Sequence, residues 1–436
     1  MPSNPLQADH INAPLDFPSG QRIANRLAKA AMTEGLSDEH GRPGESLIRL
    51  YDLWARSGCG ILITGNVQVD RNHLERGGNV VIDREPDAQM QSLLARWAAA
   101  GKSQGAQMWM QISHAGRQTP RAINPHPKAP SAIKLAMPGN QFGNPVALTD
   151  EEIEVLIERF VVAARAAEAA GFDGAQVHAA HGYLISTFLS PKANRRTDRW
   201  GGDLAGRARF LMETVKRIRA SVSPGFGISV KLNSADFQRG GFELEESEQV
   251  AAWLDGANVD LIEISGGTYE APKMMNLGGE ASPAMAETQR STRSREAYFA
   301  AFAPRIRKHI ARARLMVTGG FRSAAAMNDA LANDGIDIIG VGRPLCVEPD
   351  AVSNLLAGRQ NALPRIEDHL RLGPGFLAPT SRFQLAKLLN AASTQAWYYE
   401  QLVRFGDGKD TDRSLGLLKA LVKNRRRDAQ TRARAR

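Results

Sequence analysis

Two imidazoles and a phenol fall within six positions of one another in Gln176-Val177-His178-Ala179-Ala180-His181-Gly182-Tyr183-Leu184. His178 and His181 together can grip one oxygen, and Tyr183 can supply one proton. Reduction of a conjugated carbonyl needs both. The stretch opens as a short apolar strand from Gly174. In a strand, positions i and i+2 share a face, so His181 joins His178 only if the chain bends after it. Gly182 and the small Ala179-Ala180 pair make that bend easy. A single histidine beside a strand is more often packed or solvated than catalytic, so the weight falls on the elements around it.

Those elements repeat. Apolar strands are expected at 26–32, 60–65, 107–112, 174–177, 227–232, 260–265, 315–320 and 337–342. Between them lie helical patterns: 44–57 with Leu47, Leu50, Leu53 and Trp54 on one face, 87–104, a helix opened by the capping box Thr149-Asp150-Glu151-Glu152, then 203–221, 244–254, 294–312 and 323–331. Eight strand–helix units in alternation predict an α/β fold, a (β/α)8 TIM barrel. A doubly wound sheet usually carries a Gly-rich turn after its first strand, and none is present. Ile11-Asn12 and Gln21-Arg22-Ile23 around Pro18-Ser19-Gly20 predict a hairpin that plugs the barrel floor. The loops 117–146 and 269–292 exceed ordinary connections and are expected to carry function. The division is a barrel over 1–360, a helical extension over 361–422 and a solvated, disordered basic tail over 423–436.

With 43% hydrophobic residues, the 436-residue chain can bury a large core. No apolar run reaches the roughly 20 residues of a membrane span, so no membrane partner is expected. Met1-Pro2-Ser3-Asn4-Pro5 lacks a secretory pattern, and a cytoplasmic protein is expected. Cys59 and Cys346 read as buried free thiols, and two cysteines fall short of the roughly four thiolates of an iron–sulfur cluster. The net charge of +9 is concentrated near the end, at Lys423, Arg425, Arg426, Arg427, Arg432, Arg434 and Arg436. A solvated tail is favoured over nucleic-acid binding.

In such barrels chemistry sits at the C-terminal strand ends. Those ends hold Ala31, Met32 and Thr33; Gly65; Gln111 and His114; the His178 cluster; Lys231; Gly267; Gly319 and Gly320; and Gly342 with Arg343. The last three clusters suit a phosphate, because glycines admit close backbone N–H groups and an arginine pairs bidentately. Lys231 lies in an otherwise apolar strand and must be paired or face a ligand. It suits the edge of a flavin pyrimidine, or alternatively the Schiff base of an aldolase.

The segments 25–33, 111–117 and 178–184, with Thr318-Gly319-Gly320 and Gly342-Arg343-Pro344, resemble the old yellow enzyme family of FMN-dependent NAD(P)H:flavin oxidoreductases. The resemblance covers about residues 5 to 360. It implies FMN as bound cofactor, NAD(P)H as co-substrate and a small α,β-unsaturated substrate. Ala31, Met32 and Thr33 would line the flavin, Gly65, Gln111 and Lys231 would bind its ring system, and Gly320, Gly342 and Arg343 its phosphate. Gly267 and Gly319 belong to the same cofactor set. His178 and His181 would bind the substrate carbonyl and Tyr183 would give the proton. Many relatives have Arg in place of Lys231, and some have Cys in place of Thr33. Iron–sulfur-bearing relatives carry cysteines and extra domains that are not found here. A flavin oxidase or dehydrogenase with another substrate is the alternative. The extension falls outside the match, packing on the barrel or on a partner subunit, and a homo-oligomer is compatible with it.

Overall fold

The computed structural model describes residues 10–137, 139–268, 270 and 299–434. All eight expected strands form: β1 (Leu27–Lys29), β2 (Ile61–Ile63), β3 (Gln107–Ser113), β4 (Gly174–Ala179), β5 (Gly227–Asn233), β6 (Leu261–Ser265), β7 (Arg314–Thr318) and β8 (Ile338–Val341). Each pairs in parallel with the next. β8 returns to β1 through Ile339↔Leu27, Gly340↔Ala28 and Val341↔Lys29, so the barrel closes. The strands are buried almost throughout, as a sheet covered on both faces must be.

The covering helices are α1 (Glu45–Ala55), α2 (Ala88–Lys102), α3 (Asp150–Ala169), α4 (Leu204–Ser221), α5 (Leu244–Gly256), α6 (Ala303–Arg307), α7 (Ala324–Asn333) and α8 (Ala351–Leu356). α1 buries Leu47, Leu50, Tyr51 and Trp54 at helical spacing. The Thr149 capping box forms: its Oγ1 accepts from the Glu152 N–H at 3.2 Å, and Glu152 Oε2 accepts from the Thr149 N–H at 2.9 Å. Between barrel wall and α1, Lys29 Nζ donates to the Ile63 and Ala30 carbonyls at 2.7 and 3.2 Å. Burial pulls this ammonium down to about 8.

A hairpin does close the floor, but its first arm is Leu15–Asp16, paired with Arg22–Ile23. Leu15, Phe17 and Ile23 pack with Ile61, Ile63, Trp109, Met316 and Ile338 inside the barrel. Ile11, expected in that arm, instead joins the outer core, and its N–H donates to Asn328. The loop after β3 contains a short parallel pair, Lys128–Ala129 with Val146–Ala147. The loop expected at 269–292 lies outside the described residues except for Glu270. The helix expected over 294–312 is described only from Phe299, as a 3-10 turn followed by α6, which has Pro304 in its first turn.

The basic tail, expected to be disordered, is helical over its described residues, up to Arg434. After α9 (Gln384–Gly406), α10 (Leu417–Arg434) runs through Arg425, Arg426 and Arg427. Lys, Arg, Ala and Gln are good helix formers, and α10 is tied down at defined points. Arg427 pairs with Glu400 of α9 at 3.3 Å, and Asp428 Oδ1 accepts from the Gly77 N–H at 3.1 Å. The extension packs on the barrel: Arg49 of α1 donates to the Gly406 carbonyl. No helix among the described residues is long and apolar enough to cross a membrane.

Candidate active site

At the end of β4 the chain turns as the His–His spacing requires. His181 has φ +64° and Gly182 φ +80°. The left-handed backbone at Gly182 favours glycine, and a Cβ there would also press on Gln118 Oε1 at 2.7 Å. The turn brings the three rings together. His178 lies 5.1 Å from His181 and 4.8 Å from Tyr183 between ring centroids, with both contacts edge-on. His178 Nδ1 accepts from the Ala180 N–H at 3.2 Å, so its proton sits on Nε2. His181 Nε2 meets Ser265 Oγ at 2.6 Å, and the His181 N–H donates to Asn233. Burial lowers both imidazoles, with Lys231 adding to it; His181 falls to about 3 and His178 lies well below its usual range. The pair is therefore neutral at pH 7 and offers N–H donors without charge.

A pH dependence of stability follows. With folded-state values depressed, the unfolded chain binds more protons as pH falls below the ordinary 6.5. Stability is retained above that value and lost on acidification, by up to about 1.4 kcal/mol per pH unit per histidine. Urea melts between pH 7 and 5 check this, with His181→Asn expected to flatten the slope.

Along the barrel axis, five strands, β3 to β7, contribute to one polar chain. Gln111 Nε2 donates to Gln176 Oε1 at 2.7 Å, and Gln176 Nε2 to Glu263 Oε2 at 2.9 Å. Glu263 Oε1 receives Lys231 Nζ at 2.8 Å and the Thr318 hydroxyl at 2.6 Å. Lys231 is thus ion-paired, unlike the free desolvated amine a Schiff base requires. Glu263 takes one of its three ammonium donors. The sequence reading missed Glu263, Gln176 and Thr318. A signal existed, since Glu263 is a carboxylate in the middle of the apolar run Leu261-Ile262-Glu263-Ile264, beside the strand carrying Lys231.

Around this axis, Ala31, Met32 and Thr33 follow β1. Ala31 packs on the inner core, Met32 Sδ lies 3.4 Å from Cys346 Sγ, and Thr33 Oγ1 donates to Asn66 Oδ1 at 3.2 Å. The Gly65 N–H is committed to Glu34 Oε1 at 2.9 Å, and a side chain there would collide with the Met32 carbonyl. At the ends of adjacent β7 and β8, Gly319 and Gly320 have φ +140° and +82°. With Gly342, they donate their N–H groups to no acceptor among the described residues. Arg343 follows, with its side chain 46% exposed. Three uncommitted N–H groups beside a guanidinium suit a phosphate, and the Lys231–Gln111 edge suits a flavin ring, so these residues fit FMN. Gly267 stands apart. Its N–H donates to the Ala235 carbonyl and its own carbonyl accepts from Asn233, so the structure does not place it in the phosphate set.

Asp70, His73 and His114 form a separate cluster, with their ligating atoms within 4.8 Å of one another. Backbone donors fix both tautomers against a metal. The Lys128 N–H donates to His73 Nε2 at 2.8 Å and the Gly116 N–H to His114 Nδ1 at 3.0 Å. The protons therefore sit on the nitrogens facing Asp70, where Arg159 also pairs at 3.0 Å. Burial, with His73, lowers His114 to about 4, whereas Asp70 falls well below its usual range although burial opposes this, because both imidazoles face it, His114 Nε2 at 3.8 Å and His73 Nδ1 at 3.1 Å. Micromolar zinc is expected to leave the melting temperature unchanged; saturable stabilisation would contradict the tautomer assignment.

The chain matches the model of the NADH:flavin oxidoreductase / NADH oxidase family over residues 10–362. It is 37% identical over 363 residues to an NADH-dependent flavin oxidoreductase of Aspergillus parasiticus, covering 80% of this chain and 79% of that protein. A relative of the same description from Neonectria sp. is 38% identical over 360 residues, 79% of this chain; the chain spans about half of that relative, 47% of its length. Among solved structures, a 2-naphthoyl-CoA reductase complex is 27% identical at a TM-score of 0.71, over 81% of this chain and 53% of that one. The old yellow enzyme homologue from Zymomonas mobilis, 23% identical at a TM-score of 0.67, covers 82% of this chain and 95% of that one and shares the fold. With a family match across the barrel and site residues that fit the cofactor, this chain belongs to the old yellow enzyme family of NADH:flavin oxidoreductases, which bind FMN and draw electrons from a reduced nicotinamide.

Proposed function

We propose that the protein reduces the C=C bond of a small α,β-unsaturated carbonyl compound. The observation that carries this is the meeting of His178, His181 and Tyr183 at one strand end, with both imidazoles neutral. Bound FMN supplies the hydride, received from the nicotinamide. His178 and His181 hold the carbonyl oxygen, which gathers negative charge as hydride adds at the β-carbon. Neutral donors suit a ligand that enters and leaves uncharged, and a carboxylate in their place would repel the developing charge. Tyr183 delivers its hydroxyl proton to the α-carbon. Gln111, Lys231 and Thr33 hold the flavin ring, and Gly319, Gly320, Gly342 and Arg343 its phosphate. Two buried free thiols suit a reducing, cytoplasmic setting.

The test is product analysis under argon with NADH, NADPH and cyclohexenone. Cyclohexanone carrying one solvent-derived hydrogen at the α-carbon supports the reading. Nicotinamide oxidation that requires oxygen and leaves the enone intact would replace it with an oxidase.

A further inference from the structure

The C-terminal extension reaches back to the phosphate end of the site. Its first residues are stitched to the turn after β7: the Leu363 N–H donates to the Arg322 carbonyl at 2.7 Å, and Ser323 bridges to Ala362. Four residues beyond Leu363, Glu367 meets two arginines. Arg322, only 5% exposed, donates Nη2 to Glu367 Oε1 and Nη1 to the Phe321 carbonyl, while its Nε has no partner. Arg343 Nη1 lies 3.7 Å from the same Oε1. The other carboxylate oxygen accepts from the Tyr398 hydroxyl of α9 at 3.2 Å. One carboxylate from the extension thus joins a buried guanidinium, a half-exposed guanidinium and the extension's long helix. Burial alone would raise this carboxyl, yet Arg343 and Arg322 hold it below its usual range.

We propose that Glu367 is a built-in counter-ion of the Arg322–Arg343 pair, through which the C-terminal extension sets how strongly the site prefers FMN to riboflavin. This rests on Arg343 and the glycines of β7 and β8 forming the phosphate cradle. The charge balance gives the direction. Two guanidiniums and one carboxylate leave a net single positive charge, whereas a phosphate monoester carries about −1.5 to −2. Glu367 keeps two like charges together and holds Arg322 in place, but it also opposes the arriving dianion. Riboflavin has no phosphate and should not sense this carboxylate.

Glu367→Gln separates charge from shape. The amide oxygen still accepts from both arginines, and the amide N–H can donate to the Tyr398 hydroxyl oxygen. The full-length apoprotein is titrated with FMN and with riboflavin, following quenching of flavin fluorescence. In E367Q the FMN-to-riboflavin affinity ratio is expected to rise about fivefold, the effect of one unit charge several ångströms away in a partly solvated site. Riboflavin affinity should stay within about twofold. Glu367→Asp, which withdraws the charge by one methylene, should shift the ratio in the same direction by less, and it serves if the Gln variant does not fold. An unchanged or lowered ratio in folded variants overturns the proposal. Arg343→Gln separates the two layers. If it leaves the FMN-to-riboflavin ratio intact, the phosphate cradle itself is misplaced. If it lowers the ratio while Glu367→Gln has no effect, only the counter-ion role fails.

Discussion

Tyr183→Phe is expected to slow alkene reduction by about a hundredfold or more, the usual contribution of a positioned general acid. Flavin reduction by NADH should stay within about twofold of the parent protein. Two backbone hydrogen bonds hold residue 183: its N–H donates to the Ala180 carbonyl at 3.3 Å and its carbonyl accepts from the Thr187 N–H at 2.9 Å. The ring stands edge-on to His178 and is 6% exposed, and phenylalanine keeps that packing. The substitution removes the hydroxyl, the proton source, and keeps the ring. Stopped-flow measurement of the two half-reactions checks this. Equal losses in both would mean that Tyr183 shapes the pocket or the flavin rather than protonating the substrate.

Glu263→Ala should destabilise the fold by about 3–5 kcal/mol, the usual cost of stranding a buried charge. Glu263 is fully buried and Lys231 is 2% exposed. Removing the carboxylate leaves the Lys231 ammonium in the barrel axis without its partner and strips an acceptor from Thr318 and Gln176. Lys231→Met in the same background should recover part of the loss, because the stranded charge then disappears. Urea unfolding of the single and double variants decides the matter. A loss below about 1 kcal/mol for Glu263→Ala would show that water reaches Lys231 and that the pair is not a structural unit.

The barrel was legible because both of its signals are local. Apolar runs, most of them flanked by glycine, marked β1 to β8, and helical spacing marked α1 and α3. The hairpin arm was misplaced because Ile11 is as apolar as Leu15, and only packing against Trp109 and the inner core decides which of them enters the barrel. The His178, His181 and Tyr183 cluster was readable from one stretch of chain because a single turn assembles it. Glu263 and Glu367 were not, since each acts through partners far away in sequence: Lys231 and Thr318 for the first, Arg322, Arg343 and Tyr398 for the second. Gly267 looked like the other glycine turns, and only its hydrogen bonds set it apart. The basic tail read as disordered from charge alone, whereas Glu400 and the loop at Gly77 give α10 defined places to dock.

The most direct measurement is an anaerobic absorbance titration of the FMN-loaded protein. NADH or NADPH is added to bleach the flavin bands, and cyclohexenone is then added without oxygen. The site described here predicts that the bands return in proportion to the enone supplied, and that His178→Ala with His181→Ala abolishes the return while leaving the bleaching. Bands that return only when air is admitted would contradict the His178–His181–Tyr183 site as the seat of alkene reduction.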